Sequence, residues 1–219
     1  MVRFADVKNN EEIKVYIKKA DEAIGALGYT EHAFAHVTKT ATVAGRLLRD
    51  LGHDERTAEL GEIAGYLHDI GNVINRSGHS HSGAIMAFRI LINMGMCPDE
   101  VGTIISAIGN HDEATGFPVN AVAAALILAD KSDVRRSRVR TREEINFDIH
   151  DRVNYAVVEG ALTLQLEERA VILNLRIDTE ICAVMDYFEI FLERMLLCRR
   201  SAAFFELNFG LVINGLKLL

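Results

Sequence analysis

Five ionisable residues fall on the inward faces of apolar helical patterns: His36, His68, Asp69, His111 and Asp130. His36 precedes Val43 by seven residues and Leu47 by eleven, spacings that return close to one face at about 3.6 residues per turn. The stripe Val101, Ile104, Ile105 and Ile108 continues to His111, and the line Val119, Ala123 and Leu126 continues to Asp130. His68 and Asp69 close a helix whose buried face carries Leu60, Ile63, Ala64 and Leu67. A single inward histidine is ordinarily satisfied by a local hydrogen bond. Five such groups aimed at one core, two of them carboxylates, pose a different problem. An unpaired buried carboxylate costs more than a fold with a margin of roughly 5 to 15 kcal/mol can absorb. A bound cation resolves the conflict. Three of the helices also end at or just beyond these residues, so their partially negative C-termini would face a positive ion.

The elements that must position these groups follow from periodicity. Up to about residue 134, apolar residues recur every three to four positions, which predicts helices over Glu11 to Leu27, Glu31 to Leu51, Glu55 to Ile70, Ser80 to Met94, Pro98 to His111 and Val119 to Val134. Gly28, Gly52, Gly71 and Gly95 each follow the last periodic residue of a segment, where a left-handed position favours glycine. The stretch from Lys131 to Arg142 is a basic junction, with Lys131, Arg135, Arg136, Arg138, Arg140 and Arg142 against the single acid Asp133. Beyond it the period changes to two. Leu162, Leu164 and Leu166, then Val171, Leu173, Leu175 and Ile177, predict a hairpin turning near Glu168 and Arg169. A helix from Thr179 to Ala203 and a strand carrying Phe205, Leu207, Phe209, Leu211 and Ile213 complete a ββαβ tail, expected as a small antiparallel sheet with a covering helix. The expected organisation is a mainly α protein, with a helical metal-binding domain over residues 1–140 and a ββαβ domain over 141–219.

Composition narrows the functional classes. With 219 residues, 49% of them hydrophobic and 25% charged, the chain can build a real core and is not disordered. The longest apolar run, Ala121 to Ala129, is about half what a membrane-spanning helix needs, so no membrane partner is expected. The net charge of −7 argues against a stable nucleic-acid partner. Three widely spaced cysteines, Cys97, Cys182 and Cys198, indicate neither a disulfide framework nor a zinc knuckle and fit a reducing cytoplasm.

The segments around these residues read HVTKTATVAGRLL from His36, AGYLHDIGN around His68 and Asp69, HSHSGA from His79, IGNHDE around His111 and LADKSD around Asp130. Over residues 30–135 this ordered series resembles the HD superfamily of metal-dependent phosphohydrolases. The resemblance implies an all-helical HD bundle in which His36, His68, Asp69, His79, His111 and Asp130 hold two metal ions, with the His68–Asp69 pair at the catalytic centre and the carboxylate of Asp69 shared. Periodicity alone does not separate His79 from His81; the family spacing before Gly83 and Ala84 selects His79. His32, one turn before His36, fits that pattern less well and is expected beside the ligands or at the surface. Asn72 stands where many members have a lysine.

Four imidazoles and two carboxylates suit Mn, Fe, Co, Ni or Zn rather than the oxygen-only shells of Ca and Mg. Two such ions leave an excess of positive charge able to attract a phosphate dianion and to activate water against it. The expected function is therefore hydrolysis of a small phosphomonoester or nucleotide. Lys131, Arg135 and Arg136 are expected to contact substrate phosphates, and Asp112 and Glu113 to orient a ligand. Two other functions fit the same residues: a di-iron oxygenase of the same superfamily, and a non-catalytic domain whose tail senses a nucleotide or binds a partner. The alternating apolar tail is expected as core or as the surface of a homodimer.

Overall fold

The computed structural model describes residues 1–140 and 149–219. Its helical part comprises α1 (Phe4–Asn9), α2 (Glu11–Ala26), α3 (Phe34–Asp50), α4 (Glu55–Leu67), α5 (His79–Asn93), α6 (Pro98–Gly109) and α7 (Ala121–Lys131), with 3₁₀ turns at Ile70–Val73 and Arg136–Arg138. Then come α8 (Ile149–Ala156), β1 (Val157–Gln165), β2 (Ala170–Ile177), α9 (Val184–Phe204), β3 (Asn208–Ile213) and β4 (Leu216–Lys217). The chain is mainly helical with a small C-terminal sheet, as its periodicity predicts. Arg142 and the start of the expected second domain at residue 141 lie outside the described residues.

Helix α7 forms the centre. From Val122 to Ala129 every side chain is buried, as expected of a helix apolar all round, and α3, α4, α6 and α9 pack against it. Its N-terminus is capped by Asn120, whose side chain accepts from the Ala123 amide. Helices α3 and α4 approach closely because small residues meet at their crossing: a Cβ on Gly65 would lie 2.7 Å from Ala41 Cα. That approach brings His36, near the start of α3, to His68, just past the end of α4.

Three of the four glycines expected in left-handed positions adopt them, namely Gly28, Gly52 and Gly95. Gly71 does not. It lies in the 3₁₀ turn after His68 and Asp69, where an added Cβ would collide with His79 O and Gly83 N. Its requirement is space, because the turn carrying Asp69 presses against the first turn of α5. Two short helices, α1 and α8, were not legible as periodic segments, each being too short to establish a stripe. α7 ends at Lys131, three residues earlier than expected.

The sheet has the order β1-β2-β3-β4. The β1–β2 hairpin is antiparallel and turns through Leu166–Arg169, with Arg169 in the left-handed region at φ 49°. The fully antiparallel sheet expected from the sequence is corrected at the next pair, since β3 runs parallel to β2. Alternating burial sets which face of a strand is apolar but not its direction. Here the 21-residue α9 spans the sheet as a crossover and delivers β3 in the same sense. Helix α9 contacts β2 and β3 as well as α7, and its buried residues include Tyr187, Phe191, Met195 and Cys198.

A Gly71→Ala substitution should destabilise the fold by about 3 kcal/mol, lowering the thermal midpoint by roughly 6 to 12 °C. Gly102→Ala, in α6 with nothing within 4 Å of the added Cβ, should leave the midpoint unchanged or raise it slightly. Differential scanning calorimetry of the two variants checks this contrast.

Candidate metal centre

The six residues singled out by the sequence converge, and none is more than 8% exposed. His36 Nε2 lies 3.3 Å from His68 Nε2, and His79 Nε2 lies 3.2 Å from His111 Nε2. Between these pairs sits Asp69. Its Oδ2 is 3.1 Å from His68 Nε2 and 3.5 Å from His36 Nε2, while its Oδ1 is 3.5 Å from His79 Nε2. Asp130 Oδ1 lies 3.2 Å from His36 Nε2 and 3.6 Å from His68 Nε2. Among the described residues two sets bring their donor atoms within 4.8 Å of one another: His36, His68 and Asp130, and His68, Asp69 and His111. His79 belongs to neither set but adjoins His111 and Asp69. His81, the alternative on the same helix, is exposed.

Each imidazole is held by its other nitrogen. His68 Nδ1 donates to Gly65 O at 2.8 Å, His79 Nδ1 to Arg76 O at 3.0 Å and His111 Nδ1 to Ile108 O at 2.6 Å, in every case three residues back. Gly65 and Ile108 lie in the last turns of α4 and α6, where helix carbonyls lack intrahelical partners. His36 Nδ1 donates to Asp133 Oδ2 at 2.8 Å. With a hydrogen fixed on every Nδ1, the four Nε2 atoms all turn a lone pair inward, the arrangement that second-sphere acceptors impose on metal-ligating histidines.

These donors fit a divalent transition-metal ion. Asp69 Oδ2 is buried without a well-directed hydrogen bond, even though His68 Nε2 is close. Burial disfavours a charged His68, but Asp69 and Asp130 beside it outweigh burial and raise its pKa to about 10. Burial also opposes the charge of both carboxylates. His68 nonetheless holds Asp69, and Lys131 with His68 holds Asp130, well below the usual carboxylate range. His111, by contrast, is kept neutral by burial and by the neighbouring His68 and His79. The centre therefore demands positive charge, from a proton on His68 or from metal.

The surroundings differ from expectation at several residues. Lys131 Nζ pairs with Asp130 Oδ2 at 2.7 Å and Glu113 Oε2 at 3.1 Å, and Glu113 Oε1 accepts from Arg194 Nε at 2.7 Å. Glu113 thus links α9 to a candidate ligand through Lys131. Arg135 and Arg136, expected to reach phosphate, turn elsewhere: Arg135 Nε donates to Asp133 Oδ1, while Arg136 Nε donates to Tyr155 O with its guanidinium over the Tyr155 ring. The early end of α7 explains this, because one helical turn of spacing carries no meaning beyond Lys131. Lys131 lines the cleft with His32, Arg76, Arg138 and Arg194. Asn72 donates to Asp69 Oδ1 at 2.9 Å. Asp133 was legible only as an acid in a basic stretch; its position three residues after Asp130 is the signal that could have revealed it. Arg76 lies between the Asp69 and His79 motifs in a polar stretch without helical period, and Arg194 lies far in sequence from the ligand motifs, so neither gave such a signal.

The HD domain family model matches residues 33–156. The chain therefore belongs to the HD-domain superfamily of metal-dependent phosphohydrolases. It is also similar to "Uncharacterized protein MJ1020" of Methanocaldococcus jannaschii, at 24% identity over 202 residues, covering 81% of this chain and 76% of that protein.

Two outcomes follow. With His68 raised to about 10, metal must displace its proton at any pH below that value. Apparent affinity should therefore rise with pH, by about tenfold per unit for one competing proton, measured by equilibrium dialysis at pH 6 to 8. Asp133→Ala, which removes the acceptor for His36 Nδ1, should weaken metal binding by about 10- to 100-fold, with circular dichroism unchanged.

Proposed function

We propose that the chain is a phosphohydrolase whose centre holds two divalent transition-metal ions and hydrolyses a small phosphomonoester or nucleotide. The observation that carries this reading is the position of Asp69, whose Oδ2 faces the inward-turned imidazoles of His36 and His68 while its Oδ1 faces that of His79, beside His111. In this reading His36, His68 and Asp130 hold one ion, and His79, His111 and Asp69 hold the other, with Asp69 shared and the His68–Asp69 pair at the catalytic centre. Six ligands spread over two ions leave positions open, whereas a structural site is normally closed by four. When bound, the ions would supply Lewis acidity toward water and the phosphoryl group.

The chain's own residues do the rest. Asn72 and the fixed Nδ1 contacts keep the donors oriented, so little reorganisation accompanies binding. Lys131 neutralises the outer oxygen of Asp130 and, with Arg76, Arg138 and Arg194, gives the cleft walls a positive face toward phosphate. Burial of the cluster excludes bulk water and strengthens each of these interactions. No helix among the described residues is long and apolar enough to cross a membrane.

The test is elemental analysis of protein purified without added metal, followed by a phosphatase screen of wild type and Asp69→Ala. Two ions per chain are expected. Because outer-sphere changes alone cost about 10- to 100-fold, loss of this shared ligand should lower activity by more than about 100-fold. Retained turnover in Asp69→Ala rejects the assignment, and turnover that requires dioxygen would make the centre an oxygenase.

A further inference from the structure

Asp130 turns its two oxygens in different directions. Oδ1 lies among the imidazoles, 3.2 Å from His36 Nε2, while Oδ2 pairs with Lys131 Nζ at 2.7 Å. Glu113 repeats the pattern one step out, with Oε2 3.1 Å from Lys131 Nζ and Oε1 accepting from Arg194 Nε at 2.7 Å. Four charges of alternating sign thus run from α9 to the edge of the cluster, and Lys131 in their midst is buried. Burial opposes the charge of Glu113, but Lys131 and Arg194 hold it well below the usual carboxylate range.

Each link restrains the next. An ammonium on a four-carbon stem is a flexible point charge, so Lys131 paired with Asp130 alone would be free to swing from Oδ2 toward Oδ1, the oxygen that faces His36 and His68. Glu113 draws it outward. Glu113 in turn lines a cavity of about 220 Å³ beside the cleft, together with Phe191 and Arg194, so its carboxylate has open space to turn into once the bond from Arg194 is removed. Arg194 is itself steadied by Phe191, one turn earlier on α9, whose ring centroid lies 4.5 Å from the guanidinium. The loop that carries Glu113 also carries His111, yet it is closed by its own backbone hydrogen bonds, from Phe117 N to Asn110 O at 3.1 Å and from Gly116 N to Asp112 O at 2.7 Å. A change at Arg194 therefore reaches the Glu113 side chain without moving His111.

We propose that Arg194 is a positioning residue for one of the two ions: through Glu113 and Lys131 it keeps Asp130 Oδ1 free for the ion held with His36 and His68, and it has no hold on the ion assigned to His79, His111 and Asp69. The inference rests on the two-ion reading but not on the reaction. Position and charge predict opposite signs. Removing a guanidinium makes the surroundings of a cation more negative, which by charge alone would tighten its binding. Loss of positioning weakens it.

The test is isothermal titration of metal-free protein with Mn(II), with circular dichroism to check the fold of each variant. Wild type should take up two ions. Arg194→Gln should weaken one of them by about tenfold, the lower end of what outer contacts to metal ligands cost, and leave the other unchanged. Arg194→Met, which keeps the packing on Phe191, should do the same, and Arg194→Lys, which keeps the charge, should recover most of the loss. With Asp130→Ala already in place, Arg194→Gln should have no further effect, because the ligand it serves is gone. Arg152→Ala, which removes a different ion pair of α9, that with Asp186 at 3.3 Å, should leave both affinities unchanged. Unchanged or tighter binding in Arg194→Gln and Arg194→Met, equal weakening of both ions, or the same loss in Arg152→Ala overturns the positioning role alone. Wild type that takes up fewer than two ions overturns the two-ion reading and this inference with it.

Discussion

Four imidazole nitrogens turn their lone pairs toward one another at separations down to 3.2 Å, with two ionised carboxylates among them and almost no exposure to water. Such an assembly repels itself unless positive charge lies within it, and in a low-dielectric interior that repulsion is strong. The rest of the helical part can be understood as the means of holding this electron-rich cluster together. The close crossing of α3 and α4 sets His36 against His68, the tight turn at Gly71 presses Asp69 toward the start of α5, and the all-apolar α7 carries Asp130 in from the opposite side.

The ends of the helices have a second use. A terminal turn leaves backbone carbonyls without partners, an ordinary cost of stopping a helix. At α4 and α6 those carbonyls accept from His68 and His111, so the cost of termination is offset by fixing an imidazole. His79 uses a loop carbonyl in the same three-residue relation, and His36, which lies within the first turn of α3, needs the carboxylate of Asp133 instead. Asp133 also bonds Lys39 and Arg135 at 2.8 and 2.9 Å. Burial disfavours its charge, but the hydrogen bond from His36 and the nearby Arg138 and Lys39 hold it far below the usual carboxylate range.

Much of this was legible in the sequence because it depends on period. Inward histidines and aspartates extend apolar stripes, so periodicity found five of the six converging residues and most of the helices, while the motif spacing distinguished His79 from His81. Direction and reach were not legible. The parallel β2–β3 pair depends on how far α9 carries the chain, and alternation is blind to that. Arg135 and Arg136 follow the last turn of α7, where helical spacing stops predicting neighbours. The walls of the cavity beside the cleft come from six separated stretches, and no periodicity links them.

Helix α9 has one flank on the sheet and another on α7, and through Arg194, Glu113 and Lys131 it reaches the outer oxygen of Asp130. The bundle is consequently not an interchangeable cassette. Grafted onto an unrelated tail, it would leave Glu113 sharing its charge with Lys131 alone and one side of the neighbouring cavity open to solvent. In this chain the fate of Arg194 on α9 is thereby tied to that of Glu113 in the loop after α6.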